Sequence, residues 1–378
     1  MDYPFIYDRY VTGKNFIRRQ QDSMILGNLL RQGVHVCFYD TAKSGKTSLL
    51  QHTLLQQRIH GWQFTVGQMS ALNIRTTEQF LRRLGAVAIR SVASSPLEYS
   101  AIVEQYLGGT HFVFDREVFS RSDEILSLSW DIDETDIRAV LSLPQRLAAD
   151  REVNLLLIIE EFQNLDFIED SYHLFKIFES VIAEDNKGCT FIFSGSSYNA
   201  MKELFETKGL FYRRVEKFRL SPVDEKEIID HVVKGFLSSG KVIDRDLLSG
   251  VCRMFRCNMF YINHFAAICD SRSKGYIMEP VLMDALGCLL SIHEPRFRET
   301  MNNLTTHQVN FLRAVIDGYK KFSTSEVIHR YALNSSANVK RVKDALMKKE
   351  ILTFNDADEP FILDPLFEYW VKKYFFEV

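Results

Sequence analysis

No apolar run in this 378-residue sequence approaches the roughly 20 residues that a membrane-spanning helix needs, so no membrane span is expected. The first residues, Met1-Asp2-Tyr3-Pro4-Phe5, lack the basic and apolar regions of a signal peptide, and a cytoplasmic location is the expectation. Net charge is only −3, which argues against a uniformly basic coat for nucleic acid and leaves a local patch as the means of holding a polyanion. The six cysteines do not repeat a short zinc knuckle. Cys252, Cys257, His264 and Cys269 fall instead in a segment that reads as one continuous helix, with no turn to wrap a metal. Buried thiols in a reducing compartment fit them better. The acidic stretch Asp131-Ile132-Asp133-Glu134-Thr135-Asp136 lacks the central glycine and closing glutamate of a calcium loop and reads as a solvated turn or helix start. Length alone points to two or three domains, and 46% apolar residues suffice to fill their cores.

What is present is a phosphate-binding signature. Ser44-Gly45-Lys46-Thr47 follows the apolar run Val34-His35-Val36-Cys37-Phe38-Tyr39 and precedes Ser48-Leu49-Leu50. A strand that stops abruptly, a turn whose N–H groups converge and a helix N-terminus together favour a phosphate. On this reading Asp40, Thr41, Ala42, Lys43, Ser44, Gly45, Lys46, Thr47 and Ser48 form the nucleotide-facing segment. Lys46 meets the β- and γ-phosphates of ATP and Thr47 ligates Mg²⁺. The usual pattern G-x-x-x-x-G-K-[ST] has glycine where this sequence has Asp40, which adds a negative charge and gives up easy access to positive φ.

A second landmark is Leu155-Leu156-Leu157-Ile158-Ile159-Glu160-Glu161, a buried-strand run ending in two carboxylates. In P-loop nucleotidases this strand lies beside the phosphate-loop strand and its last acid orders Mg²⁺. Successive strand side chains point to opposite sides, so Glu160 is assigned to the metal and Glu161 to the attacking water. A third strand, Thr190-Phe191-Ile192-Phe193, ends in Ser194-Gly195-Ser196-Ser197. A polar side chain there, with Ser194 as the candidate, can sense the γ-phosphate; a plain Gly/Ser loop is the alternative. Gly209-Leu210-Phe211-Tyr212-Arg213-Arg214 carries basic residues into a further short strand. Arg214, or Arg213, is the candidate arginine finger toward a neighbouring subunit, set against a surface basic loop.

With those motifs in hand, the whole chain resembles an archaeal-type AAA+/STAND ATPase, the branch that joins a lead-in, a P-loop core, a helical lid and a winged helix. The lead-in Phe16-Ile17-Arg18-Arg19-Gln20-Gln21-Asp22 is similar to the family's phenylalanine-x-x-arginine-x-x-acidic motif, which implies that Arg19 lies near the nucleotide. Phe191 to Ser196 resembles its sensor strand, and Phe211-Tyr212-Arg213-Arg214 its leucine-tyrosine-glycine-arginine segment. Cys257-Asn258-Met259-Phe260-Tyr261 aligns with the lid's glycine-x-proline without either defining residue. Leu363-Asp364-Pro365-Leu366-Phe367-Glu368-Tyr369-Trp370 is close to the C-terminal signature.

The resemblance implies an α/β fold: a P-loop NTPase core with a parallel sheet over residues 1–220, a helical lid over 221–303 and a winged helix over 304–378. In the last segment three helices precede Ile351-Leu352-Thr353-Phe354 and Pro360-Phe361-Ile362-Leu363, which flank an acidic wing tip. Lys340, Arg341 and Lys343 on the third helix make DNA a partner to consider, but the acidic wing argues against a phosphate contact, and a protein-interaction or autoinhibitory role, with a protein partner or self-association, is the expectation. The expected activity is slow Mg²⁺-dependent ATP hydrolysis to ADP and phosphate in a molecular switch. Asp40, Glu160 and the altered lid motif keep two other readings in play, a nucleotide-sensing scaffold of weak activity and a DNA-binding regulator.

Overall fold

The structure, a computed structural model, describes residues 4–17, 19–184 and 188–377; Arg18, quoted in the lead-in motif, lies outside them. The chain forms two compact units. One, the sheet unit, comprises Gln20–Asp40 and Leu50–Leu220; the other, the helical unit, comprises Met1–Arg19, Thr41–Leu49 and Ser221–Val378.

The sheet unit is built on five parallel strands: β1 (His35–Tyr39), β2 (Thr65–Ser70), β3 (Leu155–Glu160), β4 (Cys189–Gly195) and β5 (Val215–Phe218). Their order across the sheet is β2-β3-β4-β1-β5, which corrects one expectation: β3 does not lie beside the phosphate-loop strand β1, because β4 pairs with both and separates them. Every residue of β1 and the first five of β3 are buried. Such continuous apolar strands require cover on both faces, which crossover helices supply. Helix Thr77–Arg90 begins at Thr76, whose hydroxyl accepts from the Gln79 N–H. Helix Glu134–Asp150 begins with a reciprocal Asp133/Asp136 capping box, so the acidic stretch is a helix start. Between them Phe112–Val113 and Ser127–Leu128 pair antiparallel across the helix Arg116–Ser122, strands too short to leave an alternating pattern in the sequence. Register places Phe38 opposite Ser194 and Tyr39 opposite Gly195, so the carboxyl ends of β1 and β4 lie level.

Phenylalanines lock that edge. Phe162, the residue after Glu161, is fully buried, 4.7 Å between ring centres from Phe193 and 5.7 Å from Phe205. Phe193 stacks on Phe211 at 5.0 Å. Each such pair adds about 0.5–1.5 kcal/mol beyond its burial, and here several fix the turn that follows β3.

The helical unit has its own core, running from Phe5 through residues 223–371. One expectation is corrected here: the cysteine segment is not one helix. Arg245–Met254 and Met259–Arg272 are separate helices, broken by Arg256 and Cys257 at φ 49° and 57°. Helices Thr306–Ile316, Ser325–Arg330 and Ser336–Lys348 lead into the antiparallel pair Leu352–Phe354 and Pro360–Ile362. A four-group knot ties this last part together. Asp364 caps helix Pro365–Trp370 by accepting from the N–H groups of Leu366 (3.0 Å) and Phe367 (3.2 Å). The same carboxylate accepts from the buried Tyr261 hydroxyl at 2.8 Å and pairs with Arg296 at 2.7 Å.

Asp364→Ala removes a helix cap, worth about 1 kcal/mol, and leaves a buried phenol without an acceptor, costing about 1–3 kcal/mol. The expected loss of stability is therefore about 2–4 kcal/mol, read from the urea midpoint of the full chain. A loss below about 0.5 kcal/mol, the range of an ordinary surface change, would show that the knot contributes nothing.

Candidate functional site

β1 stops at Tyr39, and Asp40, half-buried, starts the turn. Positive φ falls on Lys43 (64°) and Gly45 (97°), not on Asp40. The missing glycine therefore carries no backbone cost, and Asp40 differs from the usual pattern only in its side chain. Alternation of this kind turns successive N–H groups toward one concavity, an arrangement suited to an anion. The Thr41 carbonyl accepts from the Ser44 N–H at 3.3 Å and from Lys46 Nζ at 2.8 Å, so the ammonium folds back over the loop. Ser44 Oγ is buried without a hydrogen-bond partner. Lys46 is the first residue of helix Lys46–Ile59, Thr47 beside it and Ala42 before it are exposed, and Ser48 Oγ accepts from the Val11 N–H at 3.1 Å. Arg19, the last residue before helix Gln20–Arg31, is half-buried.

Lys43 reaches across the helical unit. Its ammonium lies 3.8 Å from the ring centre of Phe260 and 5.7 Å from that of Tyr261. Burial, with Arg296 adding to it and Asp364 opposing, lowers its pKa. His264 stacks on Tyr7 with ring centres 4.0 Å apart. Burial and then Lys43 lower the His264 pKa, and burial followed by Lys43, Arg296 and His264 brings that of His293 down to about 4. Both imidazoles are thereby neutral at pH 7. The segment compared above with glycine-x-proline has a backbone suited to those residues without containing either. Cys257 takes positive φ where glycine is expected, and Asn258 caps helix Met259–Arg272, with Met259 at the first position that proline would favour.

In the sheet unit Glu160 closes β3, and its carbonyl accepts from the Ala71 N–H at 2.8 Å. Glu161 is not part of the strand. It adopts a left-handed conformation, φ 53° and ψ 40°, so strand alternation does not set where its side chain goes. Glu161 Oε2 accepts from Ser196 Oγ at 2.8 Å and from Gln163 Nε2 at 2.7 Å. Ser196 belongs to the polar strand tip already noted, whereas Gln163 carries no signal in the sequence. The candidate Ser194 lies within β4, half-buried, and it is Ser196, just beyond the strand, that reaches the carboxylate. Arg213 and Arg214 are exposed in the turn before β5, Arg213 at φ 59° and the Arg214 N–H donating to Phe211 O at 2.9 Å. Asp40, Glu160, Glu161, Ser194 and Arg214 thus belong to the sheet unit, and Arg19 with Thr41 to Ser48 to the helical unit.

Comparison with solved structures gives the fold of the whole chain. A Walker-type ATPase of Pyrococcus abyssi superposes with a TM-score of 0.64 at 15% identity, covering 97% of this chain and 99% of that one. The ORC2 protein of Aeropyrum pernix, solved in ADPNP and ADP complexes, gives 0.54 at 13% identity, covering 95% of this chain and 93% of its own. The family model "Probable winged helix domain" matches residues 295–373. No curated protein matches the sequence. The chain is therefore α/β with the parallel sheet of P-loop ATPases and ends in a winged helix.

Proposed function

We propose that the chain binds ATP·Mg²⁺ and hydrolyses it slowly to ADP and phosphate, as a nucleotide-controlled switch. The observation that carries this is the turn 40–45, with positive φ at Lys43 and Gly45, a buried unpartnered Ser44 hydroxyl and the Lys46 ammonium folded over Thr41 O. Those groups fit a polyphosphate: N–H donors, one spare hydroxyl and one cation. The ADPNP and ADP complexes of the similarly folded Aeropyrum protein support the same ligand class.

Lys46 neutralises the β- and γ-phosphates, and Asp40 to Ser48 supply the surrounding contacts. Thr47 and Glu160 are the residues for Mg²⁺, which when bound offsets charge on the phosphate oxygens. Glu161 directs the water, Ser194 and Arg19 are nucleotide-side residues, and Arg214 is the arginine offered to a second copy. The division 1–220, 221–303 and 304–378 assigns these parts to core, lid and winged helix. Closure of the lid changes the Lys43, Phe260, Tyr261 and Asp364 contacts that lead to the winged helix, which is the output of the switch.

A protein partner or self-association is favoured over DNA for that output. Lys340 and Arg341 are exposed, but Lys343 pairs with the wing's Asp358 at 2.6 Å and lies 3.6 Å from the Phe354 ring centre. The wing itself therefore neutralises one of the three cations on that helix.

The test is an equilibrium ATP titration with and without Mg²⁺, followed by phosphate release. Saturable binding strengthened by Mg²⁺ and a slow release are expected. Absence of binding overturns the proposal, and binding with no release leaves the nucleotide-sensing scaffold.

A further inference from the structure

Gln163 is 4% exposed and sits in the short 3-10 turn Phe162–Phe167 that Phe162 anchors in the phenylalanine cluster. Its amide is wedged. A Cβ on Gly195 would come within 2.4 Å of Gln163 Oε1 and 2.4 Å of Met201 Cγ, so a larger residue at the end of β4 would displace the Gln163 amide or Met201. From there Nε2 donates to Glu161 Oε2 at 2.7 Å and to Ser197 Oγ at 3.3 Å. Ser196 Oγ donates to the same carboxylate oxygen at 2.8 Å. The left-handed Glu161 backbone is the third constraint, since a non-glycine residue holds that conformation only where its surroundings enforce it.

We propose that Gln163 and Ser196 are positioning residues for Glu161: together they pin its carboxylate through Oε2 and turn Oε1 toward the attacking water. The proposal rests on the hydrolase reading above. In the step it serves, the water oxygen bonds to the γ-phosphorus while its proton passes to Glu161 Oε1. The bond from phosphorus to the ADP oxygen breaks with its electron pair on ADP, and the proton later leaves to solvent. Charge-assisted hydrogen bonds give geometric definition as well as energy, and a base held by two donors spends more of its time aimed at the water. The pair also links the base to β4, because Ser196 and Ser197 follow directly from Gly195.

The experiment is steady-state phosphate release by the full chain, with ATP affinity measured in parallel, for Ser196→Ala, Ser196→Thr and Gln163→Met. Ser196→Ala is expected to lower kcat about 10-fold with KM within about 2-fold, and Ser196→Thr to recover most of the loss. Gln163→Met, similar in volume, is expected to act like Ser196→Ala. In a Glu161→Gln background Ser196→Ala should cost nothing further, because its effect runs through Glu161. Equal losses in both backgrounds, or parent kcat in Ser196→Ala, overturn the positioning role while leaving the hydrolase reading intact. A parent that binds ATP and releases no phosphate removes the hydrolase reading and the positioning role with it.

Discussion

Lys46→Ala is expected to lower ATP·Mg²⁺ affinity by at least about 10²-fold, corresponding to about 3 kcal/mol for a lost ammonium–phosphate contact. The cation is the first residue of helix Lys46–Ile59, at the end of a strand-turn-helix segment that carries the sequence's single Gly-Lys-Thr order. Removing it should spare the fold. Alanine is the strongest helix former, and the bond lost is one from a half-buried ammonium to Thr41 O, worth about 1 kcal/mol. Isothermal titration of parent and variant, with thermal unfolding run beside it, separates the two effects. Equal affinity in a folded variant would remove the phosphate loop from the proposed site, whatever the rest of the fold resembles.

The contrast between that loop and its surroundings shows what a single sequence can carry. β1, the turn and the helix that follows are contiguous, so strand burial, Gly45 and Lys46 could be read together, as could the apolar run of β3 ending at Glu160. The knot of Tyr261, Arg296 and Asp364 could not, since its members lie on separate elements and their meeting is decided by packing. Backbone reversals at non-glycine residues were also invisible. Arg256 and Cys257 break a helical pattern with no Gly or Pro to announce it, and Glu161 leaves the strand where alternation would have continued it. That last reversal explains why Ser194 was singled out in place of Ser196: the strand tip was legible, but not how far beyond it the turned carboxylate would find its donor. Two-residue strands such as Val242–Ile243 and Tyr276–Ile277 are shorter than any periodicity can register.

Glu161→Gln is the second large effect, with turnover expected to fall at least about 10²-fold while ATP affinity stays within about 3-fold, the signature of a lost general base. The substitution keeps the side chain's length and the left-handed backbone that the Phe162 anchor enforces, so the fold should hold. It removes the carboxylate charge that accepts from both Ser196 and Gln163. Both bonds end on one oxygen, and an amide oxygen with its two lone pairs can still accept them, but it has no lone pair basic enough to take a proton from water. Glu160→Gln, one residue earlier at the end of β3, should behave differently. Assigned to the metal, it should weaken the Mg²⁺ dependence of ATP binding as well as turnover, so the two adjacent carboxylates separate by which parameter moves. Single-turnover phosphate release at saturating ATP, with Mg²⁺ varied, reads both. Should Glu161→Gln turn over at the parent rate, Glu161 is not the base, and the hydrogen bonds from Ser196 and Gln163 serve only to hold the turn after β3.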